Sequence, residues 1–344
     1  MRSWTRRDSD IVTVAVVGAT GVVGETILRV LEERSVPIGE LGVFASRARA
    51  NAVRYGRRLL DVEAATDAAL AKYDVVFFAS GEDASERFVP ALLERGAIVI
   101  DNSSTYRMDV RAPLVVPEVN GEVVVQSDRL FPVANCTAIV LCMALAPIRN
   151  VAGLRAVRVA TYQAASGAGR AGLDELLAGE RAVVDGLAEP PVQVFPHHLA
   201  RNVVPQIGQI DADGNSGEER KVREEARKML GLPELFVSAT TVRVPVRTAH
   251  SEAVFLETER DTSVAELAEA FASGPGVVFH AQGIVTPRDV EGSDLVHVAR
   301  LRQEDEGSKR AFALWCVGDQ LRKGAATNGV QILQLLLARG FVQA

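Results

Sequence analysis

The stretch IVTVAVVGATGVVGETILRVLEERS (residues 11–35) determines how the first part of the chain is interpreted. Its first seven residues are mostly apolar and rich in valine, as in a strand that is buried on both faces. Three glycines follow within GATGVVG, and the residues after them place Ile27, Val30 and Leu31 at helical spacing. A buried strand, a glycine-rich turn and a helix in this order predict the first βα unit of a parallel sheet.

The three glycines of this turn favour nucleotide binding. Gly18 allows a tight exit from the strand, Gly21 lets the backbone approach a pyrophosphate, and Gly24 permits close contact between helix and strand. The N-terminus of the following helix offers N–H groups and a positive dipole end to phosphates. The spacing differs from the strict G-x-G-x-x-G fingerprint, so a tight turn without a ligand is the alternative.

The residues after the second predicted strand bear on the choice of cofactor. NAD-binding proteins usually have an acidic residue there, whereas this chain reads ASRAR, with Ser46, Arg47 and Arg49. A hydroxyl and guanidinium groups suit a 2′-phosphate, so the stretch predicts NADP. Solvated surface arginines are the alternative.

The βα alternation continues to about residue 130. Strands are predicted at residues 41–46, 74–80 and 97–101. Beyond Cys136 the strands read as longer and richer in Thr, Val and Arg, which is typical of a mixed sheet. We therefore predict an α/β fold with a Rossmann-type, doubly wound NADP-binding domain at residues 11–134. A C-terminal helix at 325–344 completes it, and a mixed α/β domain occupies 135–324.

Composition and charge argue against several classes of protein. The 344 residues are 48% hydrophobic and are expected to form two domains. A net charge of −6, from 38 basic and 44 acidic residues, gives no basic face for nucleic acid. No apolar run is long enough to span a membrane, and the N-terminus lacks a signal-peptide core. Three cysteines make no disulfide framework, so we expect a reducing, cytoplasmic setting, and no metal site is predicted.

The stretch VANCTAIVLCMAL (residues 133–145) raises the question of what Cys136 does. Asn135 is a typical helix-capping residue, so Cys136 is expected in the first turn of a helix. A helix N-terminus stabilises a thiolate and lowers its pKa. Cys142 and Cys316 are interpreted as apolar core residues. On this stretch alone, Cys136 is a nucleophile, a redox switch or buried filling.

Three polar residues further along the chain are candidates to accompany Cys136. Gln163 ends a predicted strand and precedes a second glycine-rich turn, TYQAASGAGRAG. Arg243 and His250 lie seven residues apart in RVPVRTAHSEA. An odd spacing places two side chains on opposite faces of a continuous strand, so we assume that the strand ends before His250.

Three charged residues complete the set of candidates. Glu218 and Lys221 share one face of a predicted helix at spacing i, i+3. Arg107 follows a strand in the loop NSSTYRMD. Taken singly, each of these residues fits a solvated charge better than a ligand.

Nine motifs occur in an order that resembles the aspartate-β-semialdehyde dehydrogenase family, from Ile11 to the C-terminus. They are GATGVVG, IDNSSTYRMD, PLVVPEVN, NCTAIV, TYQAASGAG, NVVPQIG, EERK, RVPVRTAHSEA and KGAATNGVQI. The resemblance implies NADPH-dependent conversion of L-aspartyl-4-phosphate to L-aspartate-4-semialdehyde and phosphate, toward lysine, threonine, methionine and diaminopimelate. It also implies a homodimer or homotetramer in which the domain at 135–324 is catalytic and carries dimerisation.

The same resemblance implies a role for each motif residue. Cys136 is the nucleophile that forms a thioester, His250 is the acid/base, and Gln163 orients the acyl group. Thiolate attack splits one difficult displacement into two easier steps. The expected substrate contacts are Arg243 and Glu218 for the α-carboxylate and α-amine, and Arg107, Lys221 and Asn135 for the phosphate. The expected cofactor contacts are Gly18, Thr20, Gly21, Val22, Val23, Gly24, Ser46, Arg47, Ser166, Gly167 and Asn328.

Several positions depart from the family pattern. Ala134 stands where the family usually has Pro before Asn-Cys, and His198 also replaces a common Pro. Thr241 replaces a frequent Cys. After the second strand the chain reads ASRARAN, in which the arginine stands at a different position from the usual one. These departures leave every catalytic group in place and indicate a divergent member.

Two alternatives remain open at this point. An enzyme like N-acetyl-glutamyl-phosphate reductase shares the Cys and His chemistry, but it has no need for a carboxylate such as Glu218 to hold a free α-amine. A non-catalytic nucleotide-binding homologue is expected to lose the nucleophile or the anion-binding groups. The presence of Cys136, Gln163, Arg243 and His250 argues against it.

Overall fold

The computed structural model describes residues 11–45, 52–304 and 307–342. The chain divides into two compact units, of which the second is Asn135–Gly324. The first unit joins the residues before Asn135 to those after Gly324. Within the described residues, each unit is built around one six-stranded sheet.

Strands and helices follow one another along the chain as the α/β prediction requires. In chain order the described strands are β1 (Val12–Val17), β2 (Ile38–Ala45), β3 (Ala52–Tyr55), β4 (Arg58–Asp61), β5 (Glu63–Ala64), β6 (Val75–Phe78), β7 (Ile98–Asp101), β8 (Leu130–Pro132), β9 (Ala156–Gln163), β10 (Phe236–Arg243), β11 (His250–Glu257), β12 (Val277–His280), β13 (Val296–Gln303) and β14 (Ala311–Gly318). The described α-helices are α1 (Val22–Glu33), α2 (Asp67–Leu70), α3 (Glu82–Glu94), α4 (Pro117–Asn120), α5 (Cys136–Ala152), α6 (Gly169–Val184), α7 (Gly217–Leu230), α8 (Val264–Ser273), α9 (Pro287–Val290) and α10 (Thr327–Ala338).

The first unit contains a parallel sheet with strand order β5-β2-β1-β6-β7-β8. All of its strand pairs are parallel. The chain moves outward from β1 to one side and then returns to the other, so the direction of winding reverses between β1 and β6. Strands β6 and β7 are fully buried, which explains their continuous apolar sequence. The predicted Rossmann-type architecture is confirmed.

The second unit contains a mixed sheet with strand order β10-β9-β11-β14-β13-β12. Strand β9 is parallel to β10 and antiparallel to β11, and β14 is antiparallel to both β11 and β13. Helices α5, α7 and α8 pack on this sheet. The predicted mixed α/β architecture of this part of the chain is confirmed.

Helix α5 accounts for the long apolar run that follows Cys136. It is buried along most of its 17 residues inside the second unit. Its apolar sequence therefore reflects packing on all sides. Nowhere in the described ranges is a helix both long and apolar enough to cross a membrane.

Candidate active site

Cys136 is the first residue of α5, directly after its N-cap. The Oδ1 atom of Asn135 accepts hydrogen bonds from the backbone N–H groups of Thr137 and Ala138, at 3.0 and 3.1 Å. The Cys136 side chain is partly exposed, whereas Cys142 and Cys316 are fully buried. Burial raises the pKa of both of those thiols well above the usual range. Cys136 is therefore the cysteine that a small molecule can reach.

Three polar side chains lie at one edge of the mixed sheet because of how its strands run. Gln163 and Arg243 are the last residues of β9 and β10, and they stand side by side in the parallel register. His250 is the first residue of β11, which runs antiparallel to β9. The carboxyl ends of β9 and β10 and the amino end of β11 therefore meet at the same edge. Strand β10 ends at Arg243, so the strand that carries Arg243 does end before His250, as the spacing of the two residues required.

His250 is fully buried, and its hydrogen bonds determine which nitrogen carries the proton. The backbone N–H of Ala164 donates to Nδ1 at 3.0 Å. The neutral ring must then carry its proton on Nε2. Nε2 makes no hydrogen bond to any described residue. Burial, with a further contribution from Arg243, lowers the pKa of His250 well below its usual value. At neutral pH the ring therefore presents a neutral N–H donor.

Arg243 lies beside His250, and only 6% of its surface is exposed to solvent. Its Nη1 donates to the carbonyl of Ala164 at 2.7 Å. Burial lowers the pKa of the Arg243 guanidinium, while electrostatic interaction with Glu218 and Cys136 opposes that shift. A Cβ on Gly167 would lie 2.8 Å from Arg243 Nη1 and 3.1 Å from His250 Nε2, so a side chain there would displace the guanidinium and press on the imidazole. A buried guanidinium of this kind is suited to binding a carboxylate.

Glu218 joins two of the other candidates into one network. Its Oε1 accepts from Asn135 Nδ2 at 2.9 Å and from Gln163 Nε2 at 3.1 Å. Glu218 lies in the first turn of α7, and Lys221 follows one turn later and is half-buried. The structure thus brings Asn135, Gln163 and Glu218 into direct contact.

The start of α7 is itself fixed to the sheet. Ser216 and Glu219 form a capping box at its N-terminus. The hydroxyl of Ser216 lies 3.1 Å from that of Thr241 on β10, and the backbone N–H of Thr241 donates to Glu219 at 3.0 Å. Thr241 thereby anchors the helix that carries Glu218 to strand β10.

A strained backbone position precedes His250. Ala249 has φ +70°, which is costly for a residue with a Cβ. Its N–H donates to Gln320 Oε1 at 2.7 Å, and Gln320 Nε2 donates to Ser166 Oγ at 2.6 Å. Ser166 Oγ in turn donates to the carbonyl of Arg247. Gln320 was not identified from the sequence, and it holds both the segment before His250 and the turn that contains Ser166.

The glycine-rich turn of the first unit brings backbone segments so close that two of its glycines leave no room for a side chain. Gly18 has φ +87°, and a Cβ there would lie 2.6 Å from the backbone of Ala79. A Cβ on Gly24 would lie 2.2 Å from the carbonyl oxygen of Gly18. Gly21 is the N-cap of α1 and supplies no side-chain cap. A turn without side chains next to a helix N-terminus fits the pyrophosphate of a nicotinamide dinucleotide.

The remaining predicted cofactor contacts are distributed as follows. Thr20, Val22 and Val23 flank the glycines and are partly exposed. Ser46 and Arg47, like Arg49, lie outside the described residues. Asn328 is fully buried in the first unit, where its Nδ2 donates to the carbonyl of Val115 at 2.9 Å.

Arg107, the predicted phosphate ligand, belongs to the first unit. Its Nε donates to the carbonyl of Val133 at 2.9 Å, and its Nη2 donates to the carbonyl of Asn102 at 3.0 Å. These bonds fix the guanidinium to the backbone of Asn102, at the start of its own loop, and to that of Val133. Across the described ranges, no three His, Cys, Asp or Glu side chains are grouped so that they could hold a metal ion.

Comparisons with known proteins match nearly the whole chain. A family model described as "Semialdehyde dehydrogenase, NAD binding domain" matches residues 13–127, and one described as "Semialdehyde dehydrogenase, dimerisation domain" matches residues 145–323. The aspartate-semialdehyde dehydrogenase of Aquifex aeolicus (strain VF5) is 40% identical over 337 residues, covering 96% of this chain and 99% of that protein.

A solved structure is similar to the chain over a comparable length. It is the crystal structure of aspartate semialdehyde dehydrogenase II from Vibrio cholerae, complexed with ASA, with a TM-score of 0.91 and 36% identity. The match covers 95% of this chain and 98% of that one. The Synechocystis (strain ATCC 27184 / PCC 6803 / Kazusa) aspartate-semialdehyde dehydrogenase is 37% identical over 336 residues, covering 96% of this chain and 99% of that protein.

Proposed function

The chain belongs to the aspartate-semialdehyde dehydrogenase family, and from that membership we propose that it converts L-aspartyl-4-phosphate to L-aspartate-4-semialdehyde and phosphate with NADPH. One observation carries the proposal. The reachable thiol of Cys136 lies at a helix N-terminus, within electrostatic range of Arg243, and a Cβ on Gly167 would meet both Arg243 and His250. A nucleophile, an anion-binding group and a proton donor are thereby assembled in one unit.

The first half of the reaction is acyl transfer to the thiol. Cys136 Sγ attacks the acyl carbon, a C–S bond forms, and the C–O bond to phosphate breaks. Arg243 binds the substrate α-carboxylate, and Glu218 lies close enough to its guanidinium to face the adjacent α-amine. Gln163 is held by Glu218 and is thereby directed toward the acyl group. Lys221 and Asn135, both in the second unit, receive the phosphate.

The second half turns the thioester into an aldehyde. A nicotinamide cofactor would be held by the glycine-rich turn, and when bound it would supply the hydride chemistry of this half of the reaction. His250 Nε2–H donates to the oxygen on which negative charge develops, because Nδ1 is already occupied as an acceptor. When the C–S bond breaks, Cys136 recovers its thiolate. The one proton taken up from solvent ends on the released phosphate.

The reverse reaction gives the most direct test of this function. Wild-type protein is incubated with L-aspartate-4-semialdehyde, NADP and phosphate, and NADPH formation is followed by absorbance. We expect turnover that requires phosphate and is lost when sulfate replaces it at equal ionic strength. We also expect higher kcat/KM with NADP than with NAD, because Ser46 and Arg47 suit a 2′-phosphate. Turnover of N-acetyl-glutamate semialdehyde in place of the aspartate compound would contradict the proposal.

We further propose that the protein is a homodimer that uses the open face of the mixed sheet. Tyr162, Phe236 and Phe255 are exposed on β9, β10 and β11, and Trp315 lies 5.4 Å from the Tyr162 ring. Soluble proteins rarely expose a contiguous aromatic patch without a partner. The dimerisation-domain match over residues 145–323 supports a second copy of this chain as that partner.

Phe255→Glu is expected to weaken this dimer, because it places a charge in an apolar contact. Light scattering after size-exclusion chromatography should give twice the chain mass for wild type and a shift toward the single-chain mass for the variant. Leu187→Glu, at an exposed apolar residue outside the sheet, is the matched control. A wild-type protein that has the mass of one chain at every concentration tested would rule out the dimer, and a mass of four chains would indicate a tetramer.

A further inference from the structure

The N-terminus of α5 has one half of a capping box supplied by its own residues. In a complete box the N-cap side chain accepts from the N–H of position N3, and the side chain at N3 accepts from the N–H of the N-cap. Asn135 fulfils the first half by accepting from Ala138 at N3. Ala138 has no polar side chain, so it cannot fulfil the second half.

Glu225 supplies the missing half from another helix. Its Oε2 accepts from the backbone N–H of Asn135 at 2.5 Å, across 90 residues of sequence. Glu225 is only 2% exposed, on the side of α7 that contacts α5. A buried carboxylate is costly unless strong hydrogen bonds compensate it. A charge-assisted bond to the N-cap of the helix that carries Cys136 provides such compensation.

Glu218 and Glu225 hold Asn135 from two sides. They are seven residues apart on α7, which is two turns, so both project from one face of the helix. Glu218 accepts from the side-chain amide of Asn135, and Glu225 accepts from its backbone amide. Both the rotamer and the backbone of the residue before Cys136 are thereby fixed to α7.

We propose that Glu225 is a positioning residue that completes the cap of α5 and so sets the direction of Cys136 Sγ relative to the substrate groups on α7. The catalytic consequence rests on the proposed function, whereas the structural link does not. Glu225 contacts neither substrate nor cofactor in this scheme. Its loss should therefore lower kcat more than it changes KM.

Glu225→Ala and Glu225→Gln test the proposal by two readouts. Hydrogen exchange measured on peptides that contain residues 135–138 should become faster in Glu225→Ala, because the Asn135 amide loses its acceptor. The kcat should fall by about 10²-fold, as expected for a reacting group displaced by about 1 Å. Glu225→Gln keeps an acceptor oxygen without the charge, so both effects should be intermediate. Glu224→Gln, at a neighbouring residue whose side chain is 44% exposed, should match wild type in both.

Each outcome decides between a positioning role and a purely structural one. The proposal is overturned if exchange at 135–138 is unchanged in both variants, or if kcat falls only in proportion to the folded fraction measured by circular dichroism. If Glu225→Ala does not fold, Glu225→Gln gives the same comparison. If wild type itself shows no turnover, the proposed function fails, and the exchange data still decide whether Glu225 caps α5.

Discussion

Replacing Cys136 with alanine is expected to lower kcat at least ~10⁴-fold, because removing a nucleophile eliminates the covalent route altogether. No second thiol can take over, since Cys142 and Cys316 are fully buried and burial raises the pKa of both. The alanine retains a helix-favouring residue at the start of α5, so the fold should persist. Phosphate-dependent NADPH formation measures the activity, and thermal unfolding measures the fold.

The matched control for this variant is Cys142→Ala, which removes a thiol from the same helix. It should retain turnover, because Cys142 is buried away from any ligand, and lose only the small stability of a filled core position. Iodoacetamide should inactivate wild type with one label per chain and leave Cys136→Ala unlabelled under the same conditions. Turnover by Cys136→Ala close to that of wild type would mean that the chemistry does not pass through this thiol.

Glu252→Gln is expected to change the pH dependence of the free energy of unfolding. The change should be larger than the one caused by removing an exposed carboxylate. Glu252 is fully buried on β11, and burial raises the pKa of its carboxyl from 4.5 to about 8. Cys316 Sγ donates to its Oε2 at 3.4 Å, while Oε1 makes no hydrogen bond to any described residue. The folded protein therefore carries this carboxyl protonated at neutral pH.

The sign of the effect depends on the order of the two pKa values. In the unfolded chain Glu252 ionises near 4.5, and in the folded chain near 8. Its contribution to stability is therefore fully present below the unfolded value and is lost as pH rises toward the folded value. The loss amounts to about 5 kcal/mol at most, since each pKa unit is worth about 1.4 kcal/mol. Glutamine cannot ionise, so the variant should lack this loss.

Urea unfolding at about pH 5 and about pH 8.5 measures the effect. Wild type should lose more stability between the two pH values than Glu252→Gln does. His250 contributes with the opposite sign, because burial lowers its pKa, but it does so equally in both proteins and cancels in the comparison. Glu269→Gln, at an exposed glutamate, controls for loss of a carboxylate and should follow wild type. Equal pH slopes in wild type and Glu252→Gln would show that Glu252 ionises normally in the fold.

Short sequence patterns were sufficient to predict those strands, turns and helix starts whose conformation depends on residues close by in the sequence. The run that contains Val14 and Val16, followed by Gly18, identified a buried strand and its turn because the apolar period and the glycine act over a few residues. Asn135 indicated the start of α5 for the same reason, since a cap bonds to the next three residues. The hairpin of β3 and β4 was not predicted, because its short strands lie partly exposed and lack a clear apolar alternation.

The parts that were missed depend on contacts between distant segments. Gln320 bonds to Ala249 across 71 residues, and nothing in the sequence around it indicates that contact. Glu225 did have a signal, because it lies seven residues after Glu218 and must share its helix face. The turn between Arg243 and His250 was assumed from the spacing of those two residues, with no pattern that predicts its conformation. Its strained Ala249 depends on tertiary hydrogen bonds, which local propensity does not describe.

The hydrogen bonds of this site join residues that are far apart in the chain, so the site can form only after all of them have been synthesised. Asn135 is held by residues 83 and 90 positions later in the chain, and Ala164 bonds to His250, which follows Ala164 by 86 positions. A chain growing from its N-terminus therefore exposes Cys136 long before its partners have been synthesised. Until Glu225 and Arg243 have emerged, Cys136 lacks the second half of its cap and the guanidinium, and it lacks the imidazole until His250 has followed. The arrangement around Cys136 is therefore a property of the folded second unit, and no short segment of the chain can form it alone.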